Sequence, residues 1–126
     1  MNINIYKNNM INIPEQEKII TLIGSTKFKY SFENVEKMLT LNNKIVFKPA
    51  FFLHIDSFKA SDQKKFELDK LHKEKIAMSQ AVLVVNENNY WGEGAASNIC
   101  YARNLGIPIY YVFDRKGKLN NDIFIK

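Results

Sequence analysis

Residues 81–85, Ala-Val-Leu-Val-Val, form a run that is apolar at every position. A strand without polar positions has to be covered on both faces, which is typical of the centre of a parallel sheet. Shorter or more mixed apolar segments that also predict strands occur at 18–23, 44–47 and 107–113. Between the strands, apolar residues recur at helical spacing or charged residues dominate, which predicts helices at 27–41, at 62–79 and from Ala95 to about Gly106.

This alternation of strands and helices predicts an α/β fold with a mainly parallel sheet and helices on both faces. The chain has 126 residues, so we expect a single domain over 1–126. Residues 1–17 are predicted to form an N-terminal hairpin or extension. Residues 114–126 are predicted to be a C-terminal tail, with one last short strand at 123–125.

Composition narrows the class of partner. The net charge is +5, but the lysines at 64–75 are interleaved with acidic residues, which is typical of a solvated helix face. We therefore do not expect duplex nucleic acid as a partner. The apolar runs are far shorter than the roughly 18 residues that span a bilayer, and we find no secretory signal. Cys100 is the single cysteine, which excludes an internal disulfide and fits a cytoplasmic protein.

Ligands of parallel α/β proteins bind beyond the carboxyl ends of the strands. We therefore expect three loops, at 24–28, 48–56 and 86–94, to surround one crevice. The first contains Gly24, Ser25, Thr26 and Lys27 at the start of a predicted helix. Backbone N–H groups, hydroxyls and one ammonium suit a phosphate, a carboxylate or a sugar hydroxyl. The alternative is that Ser25 or Thr26 simply caps the helix.

The second loop is rich in aromatic residues, among them Phe51. An exposed phenylalanine can stack on a nucleobase, and the alternative is that it packs into the core beneath the loop. His54 and Asp56 lie in the same loop, but nothing at ligand spacing completes a set with them or with His72. We therefore predict no metal site and no cofactor.

The third loop combines amides, aromatics and a carboxylate just before a helix. We expect a ligand to contact Asn86, Tyr90, Trp91 and Gly92, with Glu93 as the acidic group. The alternative is that Glu93 only stabilises the start of the helix that follows.

Several motifs occur in an order and spacing that resemble the nucleoside 2-deoxyribosyltransferase-like superfamily, in its short branch often encoded by phages and prophages. The resemblance covers about residues 18–113. The motifs are Leu22-Ile-Gly-Ser-Thr-Lys-Phe28, Leu71-His-x-x-Lys-Ile76 ahead of Val82-Leu-Val-Val-Asn86, Tyr90-x-Gly-Glu93, and Tyr101-Ala-Arg-Asn-Leu-Gly-Ile-Pro108.

This resemblance implies a flavodoxin-like, Rossmann-like fold with four or five strands, and a homodimer or larger homo-oligomer. It also implies a small-molecule partner, a nucleoside or nucleotide, whose N-glycosidic bond is hydrolysed or used for deoxyribosyl transfer. In such proteins a glutamate attacks the anomeric carbon, following the logic of retaining glycosidases.

The chain departs from that pattern where the nucleophile belongs. Counting back from Ala102 places Asn98 at the nucleophilic position, and an amide cannot form a glycosyl ester. Glu93 is the nearest carboxylate before the helix, but it lies more than about 100° away from Asn98 around a helix. One hypothesis is an enzyme in which Glu93 is catalytic and Asn98 contacts the sugar. The second is a catalytically inactive nucleotide-binding sensor or sequestering module, and a third is a protein–protein interaction module.

Overall fold

The structure is a computed structural model that describes residues 10–50, 61–121 and 123–125. A 3₁₀ turn at Glu87–Asn89 lies between the strand that ends at Val85 and the helix that begins at Gly92. In chain order the elements are β1 (Met10–Ile11), β2 (Ile19–Gly24), α1 (Lys29–Leu41), β3 (Ile45–Phe47), α2 (Asp62–Ala77), β4 (Ala81–Val85), α3 (Gly92–Asn104), β5 (Ile109–Tyr111) and β6 (Phe124–Ile125).

Four of these strands form one parallel sheet in the spatial order β3-β2-β4-β5. The fold is α/β and flavodoxin-like, as the sequence predicts. The chain moves outward from β2 to β3 and then crosses back to place β4 on the other side of β2. The carboxyl ends of β2 and β4 therefore flank the point where the strand order reverses, which is the usual ligand site of such sheets.

The central strands are buried on both faces because their side chains alternate between two apolar clusters. Leu22 and Leu83 face α1, where Phe32 is fully buried. The opposite cluster contains Ile23 from β2 and Ile76 from α2, together with α3 residues such as Ile99. Helices thus cover both faces of the sheet, which explains why residues 81–85 carry no polar side chain.

Several predicted boundaries are wrong by a few residues, including the end of α2, which is at Ala77 rather than at 79. Helix α1 begins at Lys29 rather than at 27, because residues 25–28 form a turn. Helix α3 begins at Gly92, ahead of the apolar spacing that starts at Ala95. Strand β5 spans only part of the predicted 107–113, because Pro108 precedes it and the Asn86 side chain replaces a strand partner at Phe113, one residue after the last backbone bond from Val112 to Val84.

The chain ends of the described part form a second, small sheet. β1 pairs with β6 in antiparallel orientation, which confirms a short strand in the tail. The predicted hairpin over the first residues lies mostly outside the described residues, and its described end pairs with the tail instead. Within the part of the chain that the structure describes, none of the helices combines the length and apolarity needed to cross a membrane.

Candidate functional site

The candidate site lies at the reversal point, where the chain leaves β2 and β4. Gly24 ends β2 in close contact with β4, and a Cβ atom on it would stand 2.7 Å from the carbonyl oxygen of Val85 and 3.1 Å from the Phe32 ring. A larger residue would push the two strand ends apart, so Gly24 shapes the site without offering a side chain to a ligand.

Residues 25–28 form a tight turn that links β2 to α1. The carbonyl of Ser25 accepts a hydrogen bond of 3.1 Å from the Phe28 N–H, and its Oγ accepts one of 3.4 Å from the Lys27 N–H. Phe28 is the residue at the helix cap, and no side chain caps α1. The alternative that Ser25 or Thr26 caps this helix is therefore wrong, and both residues lie half-buried in the turn.

The loop after β4 reverses sharply because two asparagines adopt left-handed backbone conformations. Asn88 and Asn89 have φ angles of 56° and 58°, a region that asparagine tolerates better than most residues. The carbonyl of Glu87 accepts a hydrogen bond of 3.1 Å from the Tyr90 N–H. Gly92 follows at φ 82°, where glycine carries no steric cost, and the chain enters α3.

The two loops meet through one lysine and two aromatic rings. The Lys27 ammonium lies 3.9 Å from the centre of the Tyr90 ring and 5.2 Å from that of Phe28. The two rings are 6.1 Å apart in an edge-to-face arrangement. Tyr90 remains 45% exposed, so it is accessible to a ligand even though Lys27 interacts with its ring.

A second contact between the loops places a carboxylate at the start of α1. The buried Ser31 hydroxyl, in the first turn of the helix, donates a hydrogen bond of 2.7 Å to Glu87 Oε2. Helix α1 has no acidic residue of its own in that turn. Sequence reasoning missed Glu87 and Ser31. A signal in the sequence was available: Glu87 follows β4, and the first turn of α1 has no acidic residue of its own to stabilise the helix dipole.

Asn86 is held by backbone rather than presented to the crevice. Its side chain donates a 2.8 Å hydrogen bond to the Phe113 carbonyl and accepts a 2.9 Å bond from the Phe113 N–H. Only 4% of Asn86 is exposed. A ligand could contact the Asn86 side chain only by breaking its hydrogen bonds to Phe113. The predicted ligand contact of Asn86 therefore stays a prediction.

Trp91 packs towards the face of the sheet that α3 covers. Its ring lies 6.3 Å from that of Tyr111, and it borders the apolar cluster there. The half-buried indole is thus partly engaged in packing, and stacking on a nucleobase remains a prediction for its exposed part.

The two predicted catalytic residues lie in different environments on α3. Glu93 is exposed in the first turn of the helix. Asn98 is buried, and its Oδ1 accepts a 3.0 Å hydrogen bond from Lys73 of α2. The same ammonium donates a 2.6 Å bond to Asp69. At the position where the resemblance implies a nucleophile, this chain has an amide that joins two helices.

A buried histidine adjoins that helix contact. His72 precedes Lys73 on α2 and is 8% exposed, and its Nδ1 has no hydrogen-bond partner among the described residues. Burial lowers the pKa of His72 to about 4, and the nearby Lys75 acts in the same direction. The imidazole is therefore neutral at pH 7 and is not a proton donor there.

One predicted contact cannot be placed. Phe51, with the rest of the second loop from 51 onward, lies outside the described residues. The structure describes residues 48–50 of that loop. The Lys48 ammonium lies 3.1 Å from Glu36 of α1, and the Lys48 carbonyl accepts a hydrogen bond from Lys75.

A cleft of about 360 Å³ opens at the opposite, amino-terminal edge of the sheet. Its one buried cation, Lys44, donates hydrogen bonds to the carbonyls of Ile13, Pro14 and Glu17. Burial lowers the pKa of Lys44, while Glu17 and Glu15 oppose that shift. Because the lysine is bound by backbone, we assign it to anchoring the segment before β2, and we place the candidate site at the carboxyl edge.

No protein-family model matches this chain, and a comparison with curated proteins finds no match. The fold and the contacts described above therefore carry the functional argument.

Proposed function

We propose that this chain binds a nucleoside or nucleotide at the carboxyl edge of its sheet and leaves the glycosidic bond intact. The observation that carries the proposal is the meeting of the two loops at the reversal point, where Lys27 and Phe28 contact Tyr90. Ligands of flavodoxin-like sheets bind at this place. The exposed Tyr90 ring can stack on a base. The hydroxyls of the 25–28 turn and the Glu87 carboxylate can hydrogen-bond a sugar.

The absence of bond cleavage follows from Asn98. An amide does not attack an anomeric carbon, and this one already accepts a hydrogen bond from Lys73. The resemblance to nucleoside 2-deoxyribosyltransferase-like proteins supports the ligand class, whereas the substitution at the nucleophilic position argues against their chemistry. A sensor or sequestering module fits both observations.

The second candidate is an N-glycosidic hydrolase or deoxyribosyltransferase that uses Glu93. Its exposed carboxylate lies in the first turn of α3, three positions after Tyr90 in the sequence, which favours it as a base for water. The two candidates share the ligand and differ in whether free base is released.

One experiment separates them. The purified protein is incubated with nucleosides, their 5′-monophosphates and NAD, while melting temperature and free base are both measured. We expect a raised melting temperature with at least one ligand and no free base. Tyr90→Ala should abolish the shift, and Leu105→Ala, an exposed apolar residue just after α3, is the control that should preserve it.

If the wild type releases free base and Glu93→Gln does not, the protein is the hydrolase and not the binding module. No shift with any ligand would overturn both. Asn98→Glu tests the missing nucleophile directly, and release of base by this variant alone would show that the site still holds a nucleoside correctly for cleavage.

The resemblance also supports a homodimer or larger assembly, which sedimentation velocity would measure. The free, exposed Cys100 fits a reducing compartment, and we include a cytoplasmic location in the proposal.

A further inference from the structure

We propose that this site accepts an uncharged nucleoside and discriminates against the same nucleoside carrying a 5′-phosphate, with Glu87 as the specificity-determining residue. The inference rests on the proposed function, and it narrows the substrate class.

A phosphate bound at such a sheet usually lies at the amino end of the helix after the first strand, where backbone N–H groups and the helix dipole favour negative charge. The corresponding helix here is α1, which follows β2 through the turn at residues 25–28. A nucleotide bound in the usual orientation would place its phosphate against the first turn of α1.

That place already holds a negative charge. Glu87 reaches the first turn of α1 from the neighbouring loop, and its Oε2 is 2.7 Å from the Ser31 hydroxyl. Ser31 is fully buried, so the hydroxyl that positions Glu87 is fixed by packing. The left-handed conformations of Asn88 and Asn89 fix the turn that carries Glu87. The Glu87 carboxylate therefore already interacts with the positive end of the α1 dipole.

Among the described residues, the nearby cation Lys27 forms no ion pair that would neutralise Glu87. The Lys27 ammonium lies over the Tyr90 ring, and the ion pairs found among the described residues join other lysines. Arg115 contacts this loop through its backbone carbonyl, which accepts a bond from Asn89, and its side chain is exposed. A phosphate monoester carries a charge of about −2 at pH 7, so it would be repelled by Glu87. A sugar hydroxyl can instead donate a hydrogen bond to that carboxylate.

The test compares dissociation constants for a nucleoside and its 5′-monophosphate by calorimetry, using whichever base binds best. We expect the nucleoside to bind at least about tenfold more tightly in the wild type. Glu87→Gln keeps the size of the side chain and removes its charge, and it should reduce that ratio several-fold. Glu33→Gln is the matched control, because it removes the same charge from an exposed site one turn further along α1.

Each outcome has a separate meaning. Tighter binding of the monophosphate by the wild type overturns the inference, and so does a ratio that Glu87→Gln leaves unchanged while the variant melts as the wild type does. If Glu87→Gln is unstable, Ser31→Ala provides the second variant, since it removes the hydrogen bond that positions Glu87 and should also reduce the ratio. Failure of every nucleoside and monophosphate to bind would instead contradict the proposed function.

Discussion

Asn86 fixes the end of β4 to the segment that follows β5. Its side-chain amide pairs with both the N–H and the carbonyl of Phe113, as a neighbouring strand would. The loop that carries Glu87 and Tyr90 therefore begins from a rigid point. The sequence places Asn86 in the loop correctly, but not its partner, because the contact spans 27 positions along the chain.

Replacing Asn86 by alanine should destabilise the fold. The change removes two buried hydrogen bonds and should cost about 3 kcal/mol, since buried polar groups that lose a partner keep their desolvation cost. Asn89→Gly is the matched control, because it removes one exposed bond to the Arg115 carbonyl while glycine tolerates the left-handed backbone at that position, and it should cost under about 1 kcal/mol. Urea unfolding of the three proteins measures both values, and equal losses would contradict the assignment.

His72 should make stability depend on pH. Its pKa is about 4 in the folded protein and about 6.5 when unfolded, so the unfolded chain binds more protons between these values. Stability should therefore fall by about 2 kcal/mol between pH 7 and pH 5 because of this residue alone. The facing charges include Lys75 and Lys73, which strengthen the shift, and Asp69, which weakens it.

The measurement is urea unfolding at both pH values for the wild type and for His72→Leu. The variant should lose about 2 kcal/mol less than the wild type on acidification, whatever its stability at pH 7. The same loss in both proteins would show that His72 is protonated in the folded state or that other groups dominate.

Among the elements, β4 shows what a sequence pattern predicts well. Its observed bounds, Ala81–Val85, coincide with the apolar run, because a strand covered on both faces has no polar position to blur its ends. The start of α3 was predicted less well, since its first turn contains Gly92, Glu93 and Gly94, which show no apolar spacing. The sequence signal for Glu87 did not identify Ser31 as its partner, because the two residues are 56 positions apart and only the strand order brings them together.

Two glycines give opposite predictions for the same substitution. Gly24→Ala should cost about 2–3 kcal/mol, since the new Cβ would meet the backbone oxygen of Val85 at 2.7 Å and neither strand can move freely. Gly94→Ala lies on α3 with open space around it, and alanine favours the helix, so stability should be unchanged or up to about 1 kcal/mol higher.

Thermal unfolding of the two variants beside the wild type tests this pair. A Gly24→Ala protein as stable as the wild type would mean that the two strand ends are not in close contact.

At the scale of the whole molecule, the sheet presents two edges with different roles. The carboxyl edge brings together the loops after β2 and β4, with exposed aromatic and charged side chains. The amino edge has a cleft of about 360 Å³, beside which the buried Lys44 binds backbone carbonyls. Topology and side-chain chemistry nevertheless select the carboxyl edge as the candidate site.

Nuclear magnetic resonance distinguishes these edges most directly. The ¹⁵N-labelled protein would be titrated with each natural ribonucleoside and deoxyribonucleoside in turn, and shifts of the backbone amides followed. We predict that at least one nucleoside shifts amides at 24–28 and 87–92 and leaves those at 42–44 unchanged. Shifts confined to the cleft at the amino edge, or none with any nucleoside, would contradict the account.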